Sequence, residues 1–290
     1  MERLFCAMAA LPFIVIGKGM WEVRNFKITK YQIDTNKDIG DLDGKKIMLI
    51  SDLHNCEYGK NNEKLFKAID EVNPDYIMVA GDLVVGSTKY DTDIALHFIN
   101  TIAKKYEVFY ANGNHEQRMR ENRHIYGTKY RKFIRSFDKS IHILNNYSYD
   151  INDKVRVTGF VAHNRFFSKF KLPEMKRRYI IKRIKKRDRS KYNILIAHSP
   201  EYFETYKNWG ADLVLSGHNH GGIVRLPFIG GVISPQYKIF DRYDRGVFAK
   251  DSTKMILSAG LGSHTINFRF NNRPEIVVFT INSSFKEWLL

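Results

Sequence analysis

Short apolar runs that end abruptly in polar residues recur along the chain. Five segments show this pattern: KKIMLISDLH, DYIMVAGDL, EVFYANGNHE, YNILIAHSP and ADLVLSGHNH. An apolar run bounded by turn-forming residues is typical of a strand that is buried on both faces. The pattern therefore predicts a buried strand of about four to six residues in each segment, followed by a tight turn.

Helical periodicity appears between these strands. Residues 61–72 place four apolar side chains on one helical face, and Pro74 ends that pattern. Residues 91–106 show a similar apolar face, and residues 201–209 form a shorter one. Alternation of strands and helices predicts βαβ units, with helices on both faces of the sheets.

The last third of the chain changes character. VRLPFIGGVISP, RGVFAK, KMILSAGLG and EIVVFTIN resemble strands, and few helical signals lie between them. We therefore predict an α/β fold in which two sheets pack face to face with helices outside. Residues 25–290 are expected to form one domain, because α/β domains of this size are common.

Carboxylates, imidazoles and one amide follow the predicted buried strands. Open α/β sheets bind their ligands at the strand ends, so these side chains are the candidate site. Each motif alone has an ordinary explanation, such as a capping Asp, a turn Asn or a histidine paired with a carbonyl. Together they are difficult to explain in that way. They are Asp52, His54, Asp82, Asn114, His115, His198, His218 and His220.

This set of side chains suits metal ions. Oxygen and imidazole ligands without thiolates favour Mn, Fe or Zn and exclude a structural zinc knuckle. The number of ligands exceeds what one ion needs but fits two ions about 3.5–4 Å apart, an arrangement that serves phosphate ester hydrolysis. Asp82 is the natural bridge, because a carboxylate offers two oxygens.

The ordered series D-x-H, G-D, G-N-H-E, H and G-H-x-H resembles the calcineurin-like metallophosphoesterases over residues 47–281. GGIVRLPFIGGVISP, KIFDRYDRGVF and GLGSHTINFRFNNRPEIVVF also resemble a branch of small bacterial membrane-associated phosphodiesterases. The resemblance implies a four-layer α/β/β/α sandwich of two mixed sheets flanked by helices. It also implies a binuclear metal centre at the strand ends.

The resemblance further implies a role for each motif residue. One ion would be held by Asp52, His54 and His220. The other would be held by Asn114, His198 and His218. Asp82 would bridge both ions, and His115 would stabilise the transition state or protonate the leaving oxygen without binding metal. A hydroxide between the ions would then attack the phosphorus atom.

The sequence indicates the substrate less specifically than it indicates the metal ligands. Arg118, Arg225, His264 and Arg269 are candidate substrate contacts, although the arginines could equally be ordinary surface residues. We expect a phosphodiesterase acting on a lipid-linked or envelope-derived phosphodiester. A nuclease, a nucleotide phosphodiesterase or a phosphomonoesterase with the same chemistry remains an alternative. A non-catalytic scaffold is disfavoured because every ligand position of the family is filled.

The formal charge of +16 is concentrated in one segment. Residues 165–191 contain 13 Lys or Arg and two acidic residues, a net charge of +11. Within this segment, residues 175–187 combine an apolar stripe with basic residues, the pattern of an interfacial membrane helix. A helix that packs its stripe on the domain and exposes its basic face fits the pattern as well. The excess charge predicts an anionic partner, either a membrane surface or nucleic acid.

The first 24 residues form a separate apolar segment. Residues 4–16 are uncharged, but as a helix they would reach about 20 Å, less than the ~30 Å hydrocarbon core of a bilayer. They could anchor the chain at a membrane or pack as an ordinary helix. We expect a monomer held peripherally at the cytoplasmic face of a membrane, with a cytoplasmic protein as the alternative. Residues 117–135, next to His115, are expected to form a cap over the site.

Overall fold

The computed structural model describes residues 2–168, 172–226, 229–233, 240–263 and 267–285. Its helices are α1 Glu2–Val23, α2 Glu63–Val72, α3 Asp93–Ala103, α4 Asn114–Glu121, α5 Arg123–Tyr126, α6 Lys129–Arg135, α7 Arg177–Ile184 and α8 Phe203–Trp209. Its strands are β1 Lys27–Thr35, β2 Ile47–Ile50, β3 Tyr76–Val79, β4 Glu107–Tyr110, β5 His142–Ile143, β6 Ser148–Asp150, β7 Val155–Phe160, β8 Tyr192–Ala197, β9 Leu213–Ser216, β10 Val224–Leu226, β11 Gly230–Ile233, β12 Gly246–Lys250, β13 Thr253–Leu257 and β14 Glu275–Ser283.

The strands form two mixed six-stranded sheets. The first sheet has the order β1-β14-β2-β3-β4-β5, in which β2, β3, β4 and β5 run parallel. The second has the order β12-β13-β9-β8-β7-β6, with a parallel centre of β13, β9, β8 and β7. Strands β10 and β11 form a separate hairpin.

Three apolar clusters define four layers. The cluster between the sheets joins Leu49 and Phe109 of the first sheet to Ile194 and Leu215 of the second. The outer face of the first sheet packs against α2, α3 and α6, and the outer face of the second packs against α7 and α8. This order of helices, sheet, sheet and helices confirms the predicted α/β/β/α sandwich.

The buried strands explain the continuous apolar runs in the sequence. Strands β2, β8 and β9 are buried at every position, because one side of each faces the other sheet and the opposite side faces helices. All five strands predicted from such runs are present. The predicted helices are also present, although α2 and α3 are each shorter at their ends than expected.

Helix α7 corrects one prediction. It spans only Arg177–Ile184 of the predicted segment. The apolar stripe packs in the core beside the second sheet: Met175, just before the helix, and Ile180 and Ile184 are each at most 6% exposed, while Tyr179 and Ile181 are half-buried against the same cluster. The stripe is therefore not available to a membrane, and the prediction of an interfacial helix over residues 175–187 is wrong. The alternative, a packed helix with a basic outer face, describes the structure.

Helix α1 carries the first apolar segment of the chain and includes Pro12. Its C-terminal half packs on the segment before β14. The Glu22 carboxylate accepts a hydrogen bond from the backbone N–H of Asn272, and the Arg273 guanidinium lies 5.2 Å from the Trp21 ring centre. None of the helices in the described ranges combines the length and apolar character needed to cross a membrane.

Candidate metal centre

The carboxyl ends of five parallel strands meet at one edge of the sandwich. Asp52 and His54 follow β2, Asp82 follows β3, and Asn114 and His115 follow β4. From the second sheet, His198 follows β8, and His218 and His220 follow β9. All eight side chains predicted for the core of the site therefore lie in the same region, between the two sheets.

Two groups of potential ligands lie side by side. In the first, the Nε2 atoms of His54 and His220 are 3.3 Å apart and lie 3.7 and 3.4 Å from Asp52 Oδ1. In the second, His198 Nε2 is 3.0 Å from Asp82 Oδ2 and 3.1 Å from Asn114 Oδ1. His218 joins this second group, since its ring nitrogen lies within 4.8 Å of ligand atoms of Asp82 and His198.

The backbone at the site is unusual. Five non-glycine residues of the site have positive φ angles between 49° and 80°, in the left-handed region that L-residues seldom occupy. Such a conformation costs roughly 1–3 kcal/mol per residue and persists where the surroundings impose it. These residues are Asp52, His54, Asp82, His218 and His220. The turns therefore direct these side chains inward at a cost in stability.

Two glycines allow the turns to approach the carboxylates. A Cβ atom at Gly113 would lie 2.2 Å from Asp82 Oδ1, and one at Gly217 would lie 2.2 Å from Asp52 Oδ2. Both contacts are too short for any side chain. The glycines that flank the metal motifs are thus required by close packing around the two carboxylates.

Hydrogen bonds orient the imidazoles for metal binding. His198 Nδ1 lies 2.6 Å from the carbonyl oxygen of Ala80, and His220 Nδ1 lies 3.1 Å from that of Gly262. A carbonyl can only accept, so Nδ1 of His198 carries a hydrogen and its Nε2 can present a lone pair to the site. Nδ1 of His220 lies between this carbonyl and the donating Arg269 guanidinium at 3.2 Å, so the contacts fix the direction of the ring but not its tautomer. Backbone contacts of this kind are the usual support for metal-binding histidines. The two ligand groups therefore fit divalent ions in their chemistry as well as their spacing.

His115 has the opposite tautomer to His198. Its Nδ1 accepts a hydrogen bond of 2.7 Å from the backbone N–H of Gly86, so the proton of the neutral ring lies on Nε2. Nε2 lies 3.9 Å from Asp82 Oδ2 and faces the site. A nitrogen that carries a hydrogen cannot bind a metal ion, but it can donate a hydrogen bond. This geometry favours His115 as a hydrogen-bond donor to the substrate over a ligand.

The carboxylates and imidazoles of the site shift one another's pKa values strongly. Burial acts to raise the pKa of Asp52, but the neighbouring His220 and His198 lower it well below its usual range. The pKa of Asp82 is likewise lowered despite burial, by His198 and His115. Burial opposes protonation of His198, yet Asp82 and Asp52 raise its pKa to about 10, so without an ion Nε2 would carry a proton. A divalent ion bound beside the two carboxylates would take the place of that proton.

Glu116 is a residue whose role the sequence did not reveal. Its carboxylate accepts hydrogen bonds from the backbone N–H groups of Asp82, Leu83, Val84 and Gly113. Burial and the charge of Asp82 raise its pKa to about 7. Glu116 joins the loop after β3 to the loop after β4 and so fixes the position of Asp82. The sequence signal that could have indicated this role was the position of Glu116 at the end of the GNHE motif.

The residues predicted to contact substrate lie in different environments. Arg225, on β10, donates to Asp244 at 2.5 Å and to the carbonyl of Gly221. Arg118 lies on α4, partly exposed, four residues after Asn114. His264 lies outside the described residues.

Arg269 is 2% exposed and lies beneath His220. Its guanidinium donates to the carbonyls of Ala259 and Gly262, and it lies 3.2 Å from His220 Nδ1. Burial lowers its pKa. Because Arg269 is enclosed and its donors are used within the chain, the prediction that it contacts substrate is not supported by the structure. It supports the loop that orients His220.

A cavity of about 380 Å³ opens beside the first ligand group. His54 and Ser263 line its inner end, and Lys89, Tyr90 and Asp91 line its outer part. The segment predicted to form a cap packs along this side: Tyr126 Oη donates to the carbonyl of Gly86, next to the loop that holds His115. A substrate in this cavity would lie against His54, a member of the first ligand group.

Comparison with known proteins agrees with this geometry. Residues 45–222 match the family model described as calcineurin-like phosphoesterase. The uncharacterized metallophosphoesterase YkuE of Bacillus subtilis is 26% identical over 98% of this chain and 96% of its own length. The UDP-2,3-diacylglucosamine pyrophosphatase LpxG of Chlamydia muridarum is 22% identical, covering 94% of each chain. The phosphodiesterase YaeI of Escherichia coli is 23% identical over 81% of this chain and 82% of its own length.

Proposed function

This chain belongs to the calcineurin-like phosphoesterase family and is a metal-dependent phosphoric ester hydrolase, and from that premise we propose that it is a phosphodiesterase acting on a lipid-linked or envelope-derived phosphodiester at a membrane surface. The observation that carries the hydrolytic part of the proposal is the convergence of two ligand groups around Asp82, with the Nε2–H of His115 facing them. The lipid part rests on the exposed apolar side of α1 and on the names of two relatives.

We assign the ligands from these groups. One ion would be held by Asp52, His54 and His220, and the other by Asn114, His198 and His218, with Asp82 shared. His115 also lies within ligand distance of His54 and Asp82, but the hydrogen on its Nε2 disfavours it as a ligand. Two divalent ions, Mn²⁺ by preference and Fe or Zn as alternatives, would supply an activated water and neutralise phosphoryl charge.

His115 stabilises the transition state by donating a hydrogen bond to the departing oxygen. Its Nδ1 accepts the N–H of Gly86, and this bond keeps the ring neutral with its hydrogen on Nε2, which faces the site. Glu116 holds the loop of Asp82 in place, and Asp82 Oδ1 accepts the backbone N–H of His115 at 2.8 Å. The hydrogen-bond donor and Asp82 are therefore positioned by a direct contact.

The charge around the site favours a diester. A phosphate monoester carries up to two negative charges near pH 7, whereas a diester carries one, so a monoester benefits from additional cations. Two of the arginines considered as substrate contacts are engaged within the chain: Arg225 is paired with Asp244, and Arg269 is enclosed. The lining of the cavity beside the first ligand group includes one cation, Lys89, and one carboxylate, Asp91, so it adds no net positive charge for the second charge of a monoester.

Helix α1 supports a site of action at a membrane. Its outer side exposes Phe13, Ile14, Met20 and Trp21, with Phe13 78% exposed. Positions 13 and 20, and 14 and 21, are seven residues apart and therefore lie on the same side of the helix. Arg24 lies exposed at its end and can contact anionic headgroups. We propose that residues 1–24 form the interfacial anchor and that residues 25–290 form the catalytic domain.

The names of two relatives point in the same direction. One is a pyrophosphatase of UDP-2,3-diacylglucosamine, a substrate that carries acyl chains, and the other is a phosphodiesterase. Both cover most of this chain. They support a phosphodiester or pyrophosphate substrate with a lipid part.

The substrate class is tested by a hydrolysis panel with Mn²⁺. It compares a bis-aryl phosphodiester, an aryl phosphomonoester, lipid phosphodiesters and single-stranded DNA. We expect the diesters to be cleaved faster than the monoester, and lipid phosphodiesters faster than DNA. A nuclease or nucleotide phosphodiesterase would show the reverse order for DNA, and preference for the monoester would identify a phosphomonoesterase.

Membrane action is tested by sedimentation with vesicles of phosphatidylcholine, with and without phosphatidylglycerol. We expect stronger binding to the anionic vesicles and its loss in the double variant Ile14→Ser and Trp21→Ser. Ile125→Ser, which changes an exposed isoleucine on α5, is the matched control and should bind as the unmodified chain does. Equal binding by all three proteins would contradict the role of α1.

A further inference from the structure

A second cavity lies away from the metal centre and is lined by cations. It measures about 670 Å³ and lies between strands β6 and β7, the end of α4 and the loop that joins α7 to β8. Six basic residues line it: Arg120, Arg156, Arg183, Lys185, Lys186 and Arg187. We call this cavity the basic cleft. Its volume is that of a small-molecule site.

Most of the positive charge of the basic cleft is not balanced. Arg156 forms a bidentate pair with Asp150 and lies near Asp188, while Lys191 also contacts Asp150, so these four residues are neutral together. Within the described ranges, the other five cations of the cleft have no carboxylate within the 4.0 Å limit of an ion pair. Five like charges around one cavity repel one another and favour an anionic occupant.

Lys185 has a conformation that does not suit lysine. Its φ of 63° and ψ of −172° fall in a region that is essentially restricted to glycine. The carbonyl of Lys185 accepts a hydrogen bond of 2.8 Å from Trp209 Nε1, which fixes the peptide in this position. Glycine would adopt this backbone without strain, so lysine at this position costs stability while its side chain lines the cleft.

Neighbouring residues also hold the rim in place. Arg183 Nε donates to the carbonyl of Val161 at 3.0 Å. Gly210 leaves space for Arg187, since a Cβ atom at position 210 would lie 2.2 Å from Arg187 Cδ. The exposed ring of Tyr147 forms an aromatic wall. The cations of the cleft are therefore partly preorganised, which lowers the entropic cost of binding.

We propose that the basic cleft is a binding site for a small molecule that carries two or more phosphate groups. Several phosphates match five converging cations, and charge-assisted hydrogen bonds to Lys and Arg are the strongest available to them. The site is separate from the metal centre, and the proposal does not depend on the hydrolytic function.

The test uses inorganic tripolyphosphate and the metal-loaded, full-length chain in isothermal titration calorimetry. Lys185→Gly and Arg187→Ala should each weaken binding by about tenfold, because each removes a charged hydrogen-bond donor. Lys182→Ala is the control, since Lys182 is an exposed lysine of α7 that does not line the cleft. It should change the affinity by less than about twofold.

Lys185→Gly should also change thermal stability, in the direction opposite to its effect on binding affinity. Because it relieves backbone strain, it should raise the melting temperature by about 2–4 °C while it weakens tripolyphosphate binding. A purely structural lysine would not weaken binding. Hydrolysis of the bis-aryl phosphodiester should be unchanged in this variant, whereas Asp82→Asn should abolish hydrolysis and leave binding at the cleft intact.

Four results would overturn the proposal. The first is that tripolyphosphate does not bind outside the metal centre, and the second is that both cleft variants bind it with unchanged affinity. The third is that Lys182→Ala weakens binding as much as the cleft variants do. The fourth is that the chain binds phosphatidylglycerol vesicles instead of tripolyphosphate, and that the cleft variants lose this vesicle binding. The last result would assign the cleft to a membrane. None of them would affect the proposed hydrolysis.

Discussion

His115 and Asp82 are neighbours with different proposed tasks, and substitution can separate them. His115→Ala removes a hydrogen-bond donor but no ligand, so metal content should stay at the level of the unmodified chain. Turnover should fall by about 10²–10³-fold, the usual cost of removing one donor that stabilises charge in the transition state. Metal analysis and steady-state kinetics on the same preparation measure both quantities.

The identity of the leaving group sharpens this test. The His115→Ala defect should be small for a diester with a dinitrophenyl leaving group, which spreads its negative charge over the ring, and larger for one with an alkyl leaving group, whose oxygen keeps that charge. His124→Ala, an exposed histidine on α5, is the control and should show no defect. The same defect for both leaving groups, or loss of metal in His115→Ala, would count against hydrogen bonding of His115 to the leaving oxygen.

Glu116 should stabilise the site through its backbone hydrogen bonds. Glu116→Gln replaces one acceptor oxygen with an NH₂ group that faces N–H donors, which should lower the free energy of unfolding by about 1–3 kcal/mol. Urea denaturation of the metal-free protein measures this change. Glu63→Gln at the exposed start of α2 is the matched control and should change stability by less than about 0.5 kcal/mol. A similar loss in both variants would exclude a specific role for Glu116.

Helix α7 is a packed element of the core, and this can be measured. Ile180→Ala should lower the free energy of unfolding by about 2–4 kcal/mol, because Ile180 is completely buried beside the second sheet. Lys182→Ala, two residues further on the exposed side, should change it by less than about 0.5 kcal/mol. Chemical denaturation compares the two variants, and a negligible effect of Ile180→Ala would show that α7 does not pack as described.

The β6–β7 hairpin predicts a dependence of stability on acidity. The bidentate contact with Arg156 lowers the pKa of Asp150 to about 2, from an ordinary value near 3.8. A lowered pKa in the folded state stabilises the protein above pH 3.8, and this contribution is lost as the pH falls through about 2. Because Asp150 is partly exposed, the contribution should not exceed about 1 kcal/mol.

Asp150→Asn tests this expectation. Its free energy of unfolding should be lower than that of the unmodified chain at pH 7, and the difference should shrink as the pH is lowered below 3.8. Urea denaturation at a series of pH values measures the difference. A difference that stays constant down to the lowest pH at which both proteins fold would contradict the assignment.

Much of the sandwich could be predicted from the sequence because its central strands are buried on both sides. Such strands give continuous apolar runs, and the runs before Asp52, Asp82 and His198 are clear examples. Strand β1 was not predicted, because KITKYQIDT alternates with charged residues at the edge of the first sheet. Strands β5 and β6 are too short to give a pattern of their own.

The ligand residues of the candidate site could be predicted from the sequence, because each of them directly follows a buried strand. Tertiary contacts decided the rest. The tautomer of His115 depends on the N–H of Gly86, and the enclosure of Arg269 depends on the turn at Ala259 to Gly262. Neither contact has a local signal. The apolar stripe of α7 fits a membrane or a core equally well, and only the packing of α7 on the second sheet distinguishes them.

The two ligand groups give the molecule its proposed chemistry, so metal content is the most direct measurement. After reconstitution with Mn²⁺ and removal of free metal, elemental analysis should find about two ions per chain in the unmodified protein. Asp82→Ala should lose most of both ions, because Asp82 lies between the two groups. A content near zero in the unmodified protein, or an unchanged content in Asp82→Ala, would contradict the binuclear centre.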